Sequence, residues 1–324
     1  MQFCGWLIAL LLLLAGCNVD YRDIAERRLE YAKKNKGDIV IAVFWGISDN
    51  NYINGVILAV EEINQHRGGL LGRNIKLLIE QDGTDFDLIK PAIRRIAANP
   101  KVTAVLGHEL SKVAIPASVV YEKSHILFLP PFSTVKGLTA HNFNYVFRMV
   151  PANQIMAEQM ANVAATLGYQ KIVTLYARDE SSRELAFLFE DAAIRQGIQL
   201  VHNASFFGKD SNYRPIISQF NTQQFNAIFL SSESEPAVRM IKQLREMAVN
   251  TPILGTDALS SDRFKEQVGI AGNKTIVPTV YNATADNILN QQFIINYQDK
   301  YSELPDVSAA QGYDAVMLFA NTVQ

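Results

Sequence analysis

Residues 38–80 read DIVIAVFWGISDNNYINGVILAVEEINQHRGGLLGRNIKLLIE, and three elements can be parsed from them directly. Ile39–Phe44 is a short β-branched run bounded by polar residues, the signature of a buried strand. Ile53, Val56, Ile57, Val60 and Ile63 then recur at spacings of three and four, which predicts a helix over Ile53–His66 with one apolar face. Gly68 and Gly69 suit a left-handed helix stop, and Gly72 turns the chain into a second strand, Ile75–Glu80. A strand, a helix and a strand in this order predict a parallel pair with the helix as crossover.

The rhythm continues outward. Leu88–Ala98 is read as a helix, with Pro91 either in its first turn or kinking it. Val102–Leu106 is a strand, Val113–Lys123 a helix and Ile126–Leu129 a strand. After Pro151 the pattern restarts. The helices Asn153–Leu167, Arg183–Gln196, Tyr213–Asn221 and Pro236–Ala248 alternate with the strands Lys171–Tyr176, Gln199–His202, Ala227–Leu230 and Pro252–Leu254. The fold class expected is α/β: two doubly wound parallel-sheet domains joined by a multi-strand hinge. The first crossing is placed at Met149-Val150-Pro151, and strand Thr275–Val280 carries the chain back. Helices Asn287–Tyr301 and Ala309–Val323 then rejoin the first domain. The expected lobes are 38–150 with 283–324, and 151–282. Ligands of such sheets bind beyond the carboxyl ends of the strands, and two facing domains place them in the cleft between.

Composition agrees with a folded, two-domain chain. It has 324 residues, 48% hydrophobic and 19% charged, with a net charge of -2. That balance gives no basic surface for nucleic acid. The two cysteines, Cys4 and Cys17, leave no pair for an internal disulfide or a zinc site after residue 17. Trp6–Ala15 (WLIALLLLLA) has the length of a signal-peptide core and is too short to span a bilayer. It ends in Leu14-Ala15-Gly16-Cys17, which resembles a bacterial lipobox, although no Lys or Arg precedes the run. Residues 1–16 are therefore expected to be a lipoprotein signal peptide and Cys17 the lipidated residue. Residues 17–37 are read as a polar tether with some helical character.

Five pieces in order resemble one family. They are Glu61 to Arg73, Asp82-Gly83-Thr84-Asp85, the run Arg94 to Gly107, Phe147-Arg148-Met149-Val150-Pro151 and Ile253-Leu254-Gly255-Thr256-Asp257. The family is that of type I periplasmic solute-binding proteins, resembling the branched-chain amino acid (Leu/Ile/Val) binders of ABC transporters. The resemblance implies a ligand-binding, non-enzymatic protein with an amino acid or related small polar solute in its interdomain cleft. It also implies a site. Ser111, after Leu110 in the loop beyond Val102–Leu106, matches a hydroxyl that binds the ligand carboxylate; a plain helix cap is the other reading. Phe132 or Ser133 supplies a carbonyl to the ligand ammonium, and Thr134 a hydroxyl; an ordinary turn threonine is the alternative. Asp257 matches an acid that pairs with the ammonium, or else caps the helix near Asp262.

Departures accompany the resemblance. The loop Trp45–Asn54 is short, leaving Trp45 or Tyr52 to reach the cleft. Ser181-Ser182 stand where the family often has an aromatic lid and a glycine, with Arg178, Asp179 and Glu180 before them. Glu109 stands where apolar residues are usual. No G-x-S-x-G, Walker or G-x-G-x-x-G motif occurs, and the His108-Glu109 pair lacks a second histidine at Lys112. Neither a catalytic nor a metal site, nor any cofactor, is expected. The partners expected are a small-molecule ligand, an ABC permease and the membrane through the lipid, in the periplasm or at the cell surface. A regulatory lipoprotein of the same fold, of the peptidoglycan synthase activator type, and a solute-sensing receptor module are the alternatives.

Overall fold

Every strand pair is parallel, as short apolar strands joined by helices require. The computed structural model describes residues 21–46 and 50–323, so the apolar N-terminal run, Cys17 and residues 47–49 lie outside the described residues. The first sheet is built from β1 (Ile39–Trp45), β2 (Ile75–Gln81), β3 (Val102–Leu106) and β4 (Leu127–Leu129), in the order β2-β1-β3-β4. The second contains β5 (Lys171–Ala177), β6 (Gln199–Phe206), β7 (Ala227–Ser231), β8 (Ile253–Leu254) and β9 (Thr275–Ile276), in the order β6-β5-β7-β8-β9.

Strand β1 shows why its sequence is apolar throughout. Every residue of it is buried, because helices cover both faces. Ile41, Val43 and Trp45 face a core shared with α2 (Asn51–His66) and α11 (Val307–Val323). Val40, Ala42 and Phe44 face the other side, against α3 (Phe86–Ala98) and α4 (Ser111–Lys123). The second sheet repeats the plan. Val173 and Leu175 pack towards α8 (Ser234–Glu246), while Ile172 packs towards α5 (Asn153–Thr166) and α6 (Glu180–Arg195).

The C-terminal helix α11 docks on α2 at backbone contact. A Cβ on Gly55 would lie 2.0 Å from the Ala309 carbonyl oxygen, and one on Gly312 would lie 2.1 Å from that of Tyr52. Only glycine at both positions lets the helices meet this closely. The second sheet therefore sits between two segments, early and late, of one first lobe. Helix α10 (Ile288–Tyr301) joins the same contact through Phe293 and Tyr297.

Several elements differ from expectation. Helix α3 starts at Phe86, capped by Asp85, whose Oδ1 accepts from Asp87 N at 2.9 Å, so Pro91 lies in its second turn. Helix α6 starts three residues earlier than expected, at Glu180, because the Asp179 carboxylate accepts from Ser182 N at 2.8 Å. The helix expected over Tyr213–Asn221 is a single turn, α7 (Arg214–Ile217). Strand β9 stops at Ile276, two residues before Pro278, which has no N–H for a ladder. Helix α9 (Asp262–Val268) precedes β9, and residues 277–287, between β9 and α10, run without helix or strand.

The segment 17–37, expected to be a polar tether with some helical character, packs in part on the first lobe. Tyr21–Lys34 forms helix α1, and its Ile24, Ala25 and Arg28 are buried on the first lobe. The Arg28 guanidinium donates to the carbonyls of Ala97, Asn99, Val102 and Ser124 at 2.5–2.9 Å. Those carbonyls include the exposed ends of α3 and α4, where the helix dipoles favour a cation. Burial lowers the Arg28 pKa to about 10, still far above neutrality, so the charge persists. Arg28→Met should lower unfolding free energy by at least about 1.5–3 kcal/mol, the contribution of one charge-assisted hydrogen bond. Urea titration measures the loss, and hydrogen exchange across 21–34 should rise with it. Unchanged stability and exchange would show that α1 is not held by this contact.

Candidate functional site

The carboxyl ends of β1, β3 and β4 face those of β5, β7 and β8 across a cavity of about 390 Å³. Of the residues expected at the site, Trp45, Leu110, Ser111, Phe132, Thr134, Ser181 and Asp257 all line it. Ser133 does not. Its side chain is fully buried, and its carbonyl accepts from Arg148 Nη1 at 2.8 Å. Of the two carbonyls expected, that of Ser133 already accepts one hydrogen bond, and Phe132 lines the cavity. The Ser133 hydroxyl instead donates to Ser111 Oγ at 3.1 Å, behind the cavity wall. Tyr52 is also buried beneath the wall, its ring stacked on Trp45 at 4.2 Å.

Ser111 opens α4, but Leu110 is the capping residue and makes no side-chain cap. The plain-cap reading of Ser111 therefore falls away, and its hydroxyl sits beside the open N–H groups of the helix start. A buried chain of polar groups positions this loop. Asp82, after β2, uses Oδ1 to hold His108 Nδ1 at 2.7 Å and Oδ2 to accept from Glu109 N at 2.9 Å. His108 Nε2 lies 3.0 Å from the Tyr121 hydroxyl. Burial, with Asp82 and Glu80 nearby, pushes Tyr121 well above its usual pKa, so it keeps its proton. His108 Nδ1–H donates to the Asp82 carboxylate, and the Tyr121 hydroxyl closes the chain at Nε2.

The loop 130–134 is fixed from the hinge side. Arg148 also donates to Val135 O at 2.9 Å, and Asn153 N donates to Thr134 O at 2.9 Å. Asn153, the first residue of α5, itself lines the cavity.

Opposite these hydroxyls stands Asp257, which opens a 3-10 turn, Asp257–Leu259, rather than capping α9; Ser261 is the cap of α9. Burial pushes the Asp257 carboxyl up to about 6, and only its own N–H and that of Ala258 pull it back. Among the described residues, no cationic side chain offsets that rise. At neutral pH it is mostly ionised, in a place that favours a positively charged partner.

Further lining residues were not singled out from sequence: Lys112, Asn153, Ser231, Ser232, Glu233, Glu235, Thr256 and Arg263. Glu233 follows β7 directly, so the strand-end rule applied to β7 finds it. Acidic side chains outnumber basic ones on the walls, with Glu109, Asp179, Glu233, Glu235 and Asp257 against Lys112 and Arg263. Arg178 turns away, donating to Ser205 Oγ at 3.0 Å and lying over the Phe207 ring. No His, Cys, Asp or Glu grouping among the described residues is arranged to hold a metal ion. None of their helices is long and apolar enough to cross a membrane.

Two parallel-sheet lobes around a polar cleft define a two-lobed binding protein. The chain belongs to the periplasmic binding protein family, which it matches over residues 45–324. It is 25% identical to the Leu/Ile/Val-binding protein BraC3 of Rhizobium johnstonii, over 71% of this chain and 63% of that protein. It is 22% identical to an amino acid binding protein of Pseudomonas aeruginosa, over 67% of this chain and 58% of the relative. The chain thus spans less than two thirds of the length of these relatives. Among solved structures, the ABC transporter substrate-binding protein of Desulfitobacterium hafniense in complex with Leu aligns with a TM-score of 0.79 and 27% identity. That alignment covers 88% of this chain and 84% of that one.

Asp82→Ala should leave His108 Nδ1–H and Glu109 N–H buried without an acceptor, at about 1–3 kcal/mol for each donor. Urea unfolding of the variant should show that loss. A variant as stable as the wild type would mean that this chain of groups does not hold the loop.

Proposed function

We propose that the protein is an extracytoplasmic solute-binding protein of an ABC importer that takes an amino acid, or a related small polar solute, in the cleft. The observation that carries this reading is the pairing of unlike ends across one cavity. On the first lobe Ser111 offers a hydroxyl at a helix start and Thr134 one from the loop after β4, and Asp257 offers a desolvated carboxylate on the second. A zwitterion satisfies both. Its carboxylate meets the hydroxyls and the α4 N–H groups, the Phe132 carbonyl takes one ammonium proton, and Asp257 takes another. The names of the relatives, amino acid and Leu/Ile/Val binders, support the same class. The lobes, 38–150 with 283–324 and 151–282, close over the solute about the crossings near Val150 and Pro278.

Closure removes water from the ammonium, so loss of its acidic partner is severe. Truncating one member of such a buried pair typically costs about 2–5 kcal/mol, or roughly 30-fold or more in affinity. Asp257→Asn should therefore weaken amino acid binding by at least that factor in calorimetric titration. Its free form should melt at or above the wild-type temperature at neutral pH, because a carboxyl with a raised pKa destabilises the fold when ionised. Wild-type affinity in Asp257→Asn would show that the ligand has no ammonium at this position.

The apolar run ending in Leu14-Ala15-Gly16-Cys17 supports a lipid anchor on Cys17, holding the protein at the membrane for a permease partner. Labelled palmitate should enter the wild type and be absent from Cys17→Ser. Equal labelling of both would overturn the anchor.

A further inference from the structure

We infer that the solute is a basic amino acid, whose side-chain ammonium or guanidinium is met by Glu233, rather than a branched aliphatic one. This rests on the reading of the cleft as an amino acid site. Glu233 follows the carboxyl end of β7 at the N-cap position of α8, yet its side chain makes no cap bond. Its carboxylate is in no ion pair among the described residues, and it opens on the cavity. Asp179 stands near enough to raise its pKa further, a like-charge opposition that a cation between the two would relieve.

Two buried groups of the wall make a second, independent demand. Ser231 is 0% exposed and its Oγ has no partner. Asn153 is 1% exposed, and its Nδ2 is committed to Glu184 Oε2 at 2.8 Å, so its unpartnered Oδ1 is an acceptor. Both residues line the cavity. Asn153 Oδ1 and the Glu233 carboxylate can only accept, and the Ser231 hydroxyl can accept as well as donate, so the three suit N–H donors from the solute. A branched aliphatic side chain has none, and closure over it would leave these groups desolvated. The opposite wall carries Trp45 and Phe132, 5.9 Å between ring centroids, which suits the methylene stem of a long basic side chain.

A competing role for Glu233 exists, because Lys112 of the first lobe lowers its pKa and lies across the cleft from it. A Glu233–Lys112 latch would stabilise the closed form whatever the solute. Calorimetric titration of the full chain with arginine, lysine, glutamine, glutamate and leucine separates the two. Arginine or lysine should bind most tightly. Glu233→Gln should lower that affinity about tenfold or more and leave glutamine and leucine within about twofold. Tightest binding of leucine, glutamine or glutamate would overturn the inference, as would an equal loss for every solute in Glu233→Gln. If leucine binds most tightly and Asp257→Asn abolishes it, the amino acid reading stands and only the basic class fails. If none of the five solutes binds, the amino acid reading itself fails, and this inference with it.

Discussion

A carboxylate withdrawn from bulk water needs a proton, a cation or hydrogen-bond donors, and among the described residues only two backbone N–H groups offset the burial of Asp257. The fold holds it there nonetheless, at the end of a two-residue strand whose next residues turn at once into a 3-10 helix. Such a group is a standing cost to the free protein and a gain to the complex, which is the usual signature of a site built for something that arrives later. The first lobe supplies the opposite chemistry in hydroxyls and helix N–H groups. The cleft therefore has a direction, and a solute with two unlike ends lies along it in one sense only.

The parallel sheets make this arrangement possible. Because each strand runs the same way, the loops after β1, β3 and β4 gather at one edge of the first lobe, and those after β5, β7 and β8 at the facing edge of the second. Loop positions are then fixed by polar groups beside and behind the cavity wall. Asp82 holds the start of the Ser111 loop through His108 and Glu109. Arg148 and Asn153 hold the Thr134 loop from residues at the crossing between lobes. The second link ties the Thr134 loop to the crossing between the lobes, since Asn153 N and Thr134 O share a hydrogen bond of 2.9 Å.

Much of this was legible in the sequence, and for a stated reason. The run Ile39–Trp45 is apolar at every position because both faces of β1 are covered, and that pattern survives without any knowledge of neighbours. The residues that the family resemblance implied beyond strand ends, Ser111, Thr134 and Asp257, line the cavity. What was missed depends on partners distant in the chain. Arg28 reads as one more charge in a polar segment, and only the fold brings it to carbonyls some 70 to 96 residues away. Gly55 and Gly312 are unremarked in sequence, because a glycine in a helix has meaning only once another helix lies against it. Ser133 alternates its roles for a similar reason, since its carbonyl is claimed by an arginine fifteen residues on. Glu233 was within reach of the strand-end rule, but its position beyond β7 has no counterpart among the motifs that carried the family resemblance.

The ammonium–Asp257 contact is tested most directly by counting protons during binding. The free carboxyl has a raised pKa of about 6, and pairing with an ammonium must hold it ionised. The complex therefore binds fewer protons than the free protein, and affinity should fall as pH drops through 6. Titration of a bound amino acid at pH 6, in buffers of different ionisation heat, should show release of about half a proton by wild type that Asp257→Asn does not release. The release should fade by pH 8. Identical proton counts for the two proteins at pH 6, with the amino acid bound by both, would contradict the contact.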